Sequence, residues 1–208
     1  MNTSLSSPSA AANAVHALHG QTMGTTWSVQ YTSAMRIDAH ALHDAVQARL
    51  DQVVGQMGTG DVGTHIMRFH RSAAGQWFVL QDDVLQVVAT ALDIAASSEG
   101  AFDPTVSRLV AAWGFGAHAA RRGRPTDVDL VEARTRVGWQ HLRFDPELRR
   151  LRQPGGVMLD LSAIAKGYGV DVVAALLRGR GIDAALIEVG GGLVGYGRKG
   201  GRQPWRGL

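Results

Sequence analysis

L-D-L-S-A-I-A-K-G-Y-G-V-D, Leu159–Asp171, decides how this chain is read. An apolar stretch of β character, Val157–Leu161, runs into Ser162, and from there the apolar positions recur at helical spacing to about Arg180, with Gly181 closing the helix. Lys166 falls in the first turns of that helix. It is one of only two lysines in a chain that carries nineteen arginines. A strand ending in Asp160, a helix start and a compact cation suit an anion, because free N–H groups and the helix dipole favour negative charge there. Gly167 and Gly169 let other backbone or a ligand come close. Asp160 suits a metal or a ribose hydroxyl. The spacing is not that of a Walker loop. The plainer alternative is a capped amphipathic helix with a surface lysine, and spacing alone leaves both open.

Working outward, Val15–Leu18 and Thr25–Tyr31 read as two strands around H-G-Q-T-M-G-T. Ile37–Met57 carries apolar residues at helical spacing, Gly58–Gly63 is a loop, and a short helix covers His65–Arg71. Trp77–Leu80 reads as a strand, and Asp82 as the cap of a helix to Ser98, stopped by Gly100. Phe102-Asp103-Pro104 is expected to open another helix, ending at W-G-F-G, residues 113–116. Asp127–Val137 is helical, and Trp139–Arg152 forms a hairpin around Asp145-Pro146. Ala184–Val189 is a strand, G-G-G-L-V-G-Y-G turns into another, and a further strand begins at P-W-R-G-L. Long helices mixed with hairpins give an α+β fold. E-V-G-G-G-L-V-G-Y-G at 188–197 imitates a dinucleotide fingerprint, but that fingerprint needs a following helix, and here a strand follows.

The 208 residues bear a net charge of +3, and 26 are glycine. R-R-G-R at 121–124 is the only basic run, so nucleic acid is not an expected partner. With no cysteine there are no disulfides, thiolate zinc sites or Cys nucleophiles. His40 and His43, and His16 and His19, form i,i+3 pairs without further ligands nearby, which favours ordinary histidines over a metal site. Residues 1–14 are small and polar and read as a disordered tail rather than an export signal, and no apolar run is long enough to span a membrane. The chain as given is therefore expected in the cytoplasm, and in the periplasm if its true start differs.

Four segments taken together resemble the ApbE-type FAD:protein FMN transferases. They are M-G-T-T-W at 23–27, A-F-D-P-T-V-S-R-L-V-A-A-W-G-F-G at 101–116, L-D-L-S-A-I-A-K-G-Y-G-V-D at 159–171 and I-E-V-G-G at 187–191. The resemblance implies a T-fold-related arrangement of helices and antiparallel sheet, with residues 15–208 forming the N-terminal part of one flavin transferase domain. It implies cleavage of FAD at its pyrophosphate, with magnesium, transfer of FMN to a Ser or Thr of a target protein, and release of AMP. By the same resemblance Met23, Ala101, Phe102 and Asp103 line the FAD site. Asp160 and Lys166 contact the same ligand, Lys166 near its phosphates, and the backbone carbonyl of Ala163 is one metal ligand. The catalytic residues and the remaining metal ligands are expected beyond Leu208, so this chain alone is expected not to flavinylate a target. The chain departs from the family pattern at Gly60, where an aromatic is usual, at His65 and Gly192, where acids are usual, and at His70, where Asn is usual. A missing aromatic stack costs about 1–3 kcal/mol by analogy with base stacking. The alternatives are a relative that binds FAD without transferring FMN, and a nucleotide-dependent oxidoreductase that uses the glycine cluster.

Overall fold

Trp27, Val29 and Tyr31 alternate with Ser28 and Gln30, a period of two that buries one face of a strand and leaves the other for polar groups. In the computed structural model these residues lie in β2 (Thr25–Thr32), paired antiparallel to β1 (His16–Thr22) and to β6 (Ala184–Val189). Adding β7 (Gly192–Tyr196) completes a four-stranded antiparallel sheet of order β1-β2-β6-β7. The structure describes residues 14–116, 123–199 and 203–206. The expected N-terminal tail, apart from Ala14, and Arg121 and Arg122 of the basic run lie outside the described residues.

Two compact units make up the chain: Met1–Asp51 with Lys166–Leu208, and Gln52–Ala165. The first holds the four-stranded sheet. Its core joins Leu18, Trp27, Val29, Tyr31, Ile187 and Val189 to Leu42, Val46 and Leu50 of helix α1 (Ala39–Met57) and to Val170, Val173 and Leu177 of helix α6 (Ser162–Gly179). The i, i+4, i+8 and i, i+3, i+7 spacings put each apolar set on one helix face, and that face covers the sheet. Trp27 also donates its indole N–H to Gln47 at 2.8 Å, so the largest buried ring satisfies its one polar atom.

The second unit has a three-stranded sheet, β3 (Trp77–Val79), β5 (Arg150–Arg152) and β4 (Arg143–Asp145), paired in that order. Around it lie α2 (His65–Arg71), α3 (Asp82–Ser97), α4 (Ser107–Ala112) and α5 (Asp127–Arg134). Thr126 and Asp129 close a capping box at the start of α5.

Five sequence expectations need correction. His19–Thr22 is strand, so the β1–β2 turn is only Met23-Gly24. Gln81 occupies the cap position of α3, and Asp82 is its first residue. Residues 101–106 form bends and turns rather than a helix, because Asp103 turns its carboxylate back onto Thr105 N–H at 2.8 Å, an Asx turn that competes with helix entry. Residues 157–161 pair with no strand at all. Residues 203–206 start no strand either, and Trp205 instead donates to the Tyr196 carbonyl at 3.0 Å.

Candidate functional site

In the sheet-bearing unit, two tight turns and the start of α6 meet around glycines. β1 and β2 reverse at Met23-Gly24, with φ of +50° and +70°, and β6 and β7 reverse at Gly190-Gly191, with φ of +52° and +92°. Paired positive φ values are those of two-residue hairpin turns whose twist matches the strands. Gly190 N–H donates to Thr26 O at 3.1 Å, which puts both turns at the same end of the sheet. Against that end lies Lys166. Its Cδ and Cε sit 3.1 and 3.3 Å from where a Cβ of Gly190 would be, and Thr25 Cγ2 sits 2.6 Å from the same point. Met23 Cε and Leu50 Cδ2 each come within 3.3 Å of the equivalent point on Gly169, and Gly192 faces the Gly167 Cα at 3.8 Å. Any side chain at Gly190 would push the lysine stem away.

Lys166 is half-buried, and among the described residues no carboxylate pairs with it and no acceptor takes its ammonium. It is held by its methylenes, not by a counter-ion. The neighbouring turn amides are already used, Gly190 by Thr26 and Gly191 by the Glu188 carboxylate at 2.7 Å. Lys166 is therefore the group in this cluster left to face an anion.

The other unit assembles its residues by hydrogen bonds. Asp103 Oδ1 accepts from the Thr105 amide and hydroxyl at 2.8 and 2.6 Å, and Oδ2 accepts from Trp139 N–H at 3.1 Å. Thr105, fully buried, passes the network on by accepting from Gly138 N–H at 2.7 Å. Both oxygens of Asp103 thus hold the loop in shape. Asp160 is tied to the same loop, its amide donating to Pro104 O at 2.7 Å, while its Oδ1 accepts from Ser162 N–H at 2.9 Å and caps α6. Its Oδ2 has no partner among the described residues. Val157, Leu159 and Leu161 are buried, and Met158 and Asp160 are half-buried, the period of an extended chain without a neighbouring strand. Side chains supply the missing ladder. Gln153, fully buried, donates to Val157 O and Phe69 O at 3.2 Å each and accepts from the Val157 and Gly155 amides at 3.1 Å. His70 Nε2 accepts from Leu159 N–H at 2.9 Å.

Ala163 lies exposed in the first turn of α6. Among the described residues no group of three or more His, Cys, Asp or Glu could hold a metal. Magnesium takes about six oxygens, so Ala163 and the described residues do not fit a complete magnesium site.

A model of the ApbE family matches residues 23–206. The chain belongs to the ApbE family. It is 37% identical over 198 residues to an FAD:protein FMN transferase of Vibrio cholerae, covering 94% of this chain and 58% of that protein. It is 30% identical to that of Escherichia coli strain K12, covering 94% and 56%. Among solved structures, the apo form of Pseudomonas stutzeri flavinyl transferase ApbE superposes with a TM-score of 0.88 at 36% identity, over 93% of this chain and 64% of that one. The chain thus spans a little under three fifths of the length of the curated relatives it matches.

Gly60, where an aromatic was expected, is exposed, and a Cβ there would meet nothing within 4 Å. His65 is buried against Phe78 at 4.9 Å, with Nδ1 3.2 Å from Arg68 Nη2 and Nε2 accepting from Gln81 N–H at 3.3 Å. Burial first, and the Arg68 charge second, lower its pKa and keep it neutral, against a smaller opposing pull from the Val79 backbone. A Cβ at Gly192 would stand 3.4 Å from Val170 Cγ2, an ordinary van der Waals contact. Sequence reasoning missed Thr105, Gln153 and the accepting role of His70. All three act on backbone distant in sequence, and a lone Thr, Gln or His carries no local signal of that.

Proposed function

We propose that this chain supplies flavin-nucleotide-binding residues of an FAD:protein FMN transferase, the name its relatives carry, with residues 15–208 belonging to one transferase domain. The observation that carries the reading is Lys166, a cation fixed by its stem between two hairpin turns and lacking a counter-ion among the described residues. A compact ammonium so held meets a phosphate without first breaking an ion pair. In this reading the FAD pyrophosphate faces Lys166, and Met23, at the neighbouring turn, packs on the nucleotide. In the other unit, Ala101 and Phe102 offer loop backbone to FAD, and Asp103 holds that loop with both carboxylate oxygens. Asp160 presents its unused Oδ2 to a nucleotide hydroxyl.

The reaction breaks the P–O–P link of FAD. The FMN phosphorus bonds to a Ser or Thr oxygen of a target protein, the hydroxyl proton is lost, and AMP leaves with the bridging oxygen. Charge grows on the phosphate oxygens during transfer, and Lys166 offsets part of it. Magnesium would take the Ala163 carbonyl with oxygens from outside the described residues. A second reading, a relative that holds FAD without transferring FMN, is favoured by the open position at Gly60. Incubation with FAD, magnesium and a Ser/Thr-bearing target domain tests both. Protein-bound flavin on the target supports transfer and contradicts the second reading, whereas bound FAD with an unlabelled target fits either, because this chain alone is expected not to flavinylate. No FAD binding contradicts both.

A further inference from the structure

Asp160 sits in a stretch with no neighbouring strand to fix its register. Its direction is set by the two amides that flank the Leu159 Cα, those of Leu159 and Asp160. One donates to Pro104 O, in the loop of Asp103, and the other to His70 Nε2 at 2.9 Å. Leu159 is buried and Asp160 half-buried, so a rotation of the Leu159 peptide would swing the Asp160 carboxylate. An unpaired buried amide is costly, so the backbone follows its acceptor.

We propose that His70 is a positioning residue for the flavin nucleotide: it acts through the Leu159 amide to aim the Asp160 carboxylate. The inference rests on the flavin reading of Asp160 above. The bond requires a neutral ring with its proton on Nδ1, leaving the Nε2 lone pair for Leu159. No other side chain accepts from that amide, and Gln153 clamps the same stretch two residues earlier, at Val157. The two acceptors thus divide the work: Gln153 holds the entry to the stretch, and His70 holds the residue before the carboxylate.

The test is FAD titration of the full chain by flavin fluorescence, alongside thermal unfolding, for His70→Ala, His70→Gln and Ile66→Val. Gln places an amide oxygen near the position of the imidazole Nε2. Ile66→Val, in the same short helix and fully buried, costs stability while leaving the His70–Leu159 hydrogen bond in place. We expect His70→Ala to weaken FAD about tenfold, the equivalent of one lost buried hydrogen bond. His70→Gln should recover most of that affinity, and Ile66→Val should leave it unchanged. Unchanged affinity in His70→Ala, no recovery in His70→Gln, or an equal loss in Ile66→Val overturns the proposal. Failure of the unaltered chain to bind FAD would instead strike the parent reading, and this inference with it.

Discussion

The two units build their functional residues in opposite ways. Around Lys166 order comes from missing atoms: glycines at 169, 190 and 192 let a methionine, a lysine stem and a helix approach within van der Waals distance. Around Asp160 order comes from added polar atoms: Gln153 and His70 replace hydrogen bonds a strand partner would make, and Asp103 and Thr105 hold the adjoining loop. The first design leaves a cation uncompensated among the described residues, and the second leaves almost every polar group engaged. Close packing therefore fixes the group proposed to meet a ligand's charge, while the hydrogen-bond network fixes backbone direction.

The sharpest way to break the first design is to fill it. Gly190→Val adds a branched side chain at φ +52° and drives it into Thr25. Strain and overpacking together should cost about 4 kcal/mol, read as a lower urea midpoint, and FAD affinity should fall with it. Filling Gly60, which is open, should do no such harm. The matching attack on the second design is Gln153→Ala, which strands amides and carbonyls of a buried segment. We expect a loss of about 3 kcal/mol. A loss below about 1 kcal/mol would mean the segment holds itself. Gly60→Tyr sharpens the comparison from the ligand side. With space around it, the ring should fold normally and raise FAD affinity by about 1 kcal/mol through stacking. An unchanged Kd would show that the loop does not face the flavin nucleotide.

The smallest effect concerns pH. His65 has a folded-state pKa below its ordinary value of 6.5, so the unfolded chain takes up the proton first. Its contribution to stability is complete above that value and declines as pH falls below it. Urea unfolding followed across this range should show the decline in the unaltered chain and a flatter profile in His65→Gln.

Much of the packed design was legible in the sequence. The glycines of H-G-Q-T-M-G-T and G-G-G-L-V-G-Y-G announced two turns, though not the two-residue limits of the first, and the apolar spacings of α1 and α6 announced the faces that cover the sheet. The hydrogen-bonded design was not. The apolar run at 157–161 correctly marked an extended chain, but the expected strand pairing is replaced by side chains, Gln153 four residues from Val157 and His70 89 residues from Leu159 in sequence. The expected helix at Phe102-Asp103-Pro104 failed for a local reason: Asp103 found a closer donor in Thr105 than a helix would give it. From spacing, Lys166 and the helix start suited an anion and Asp160 a metal or a ribose hydroxyl, with a plain capped helix as the alternative. The structure gives them different partners, one oxygen of Asp160 capping α6 and the lysine left uncompensated among the described residues.

The central claim is that Lys166 reads phosphate. Calorimetric titration of the unaltered chain and of Lys166→Ala with FAD and with riboflavin, which has the same ring and no phosphate, tests it directly. The unaltered chain should prefer FAD, and Lys166→Ala should lose about 2 kcal/mol of FAD binding while riboflavin binding and the unfolding midpoint stay as they were. Equal binding of the two ligands by the unaltered chain, or an equal loss of both in the variant, would contradict it.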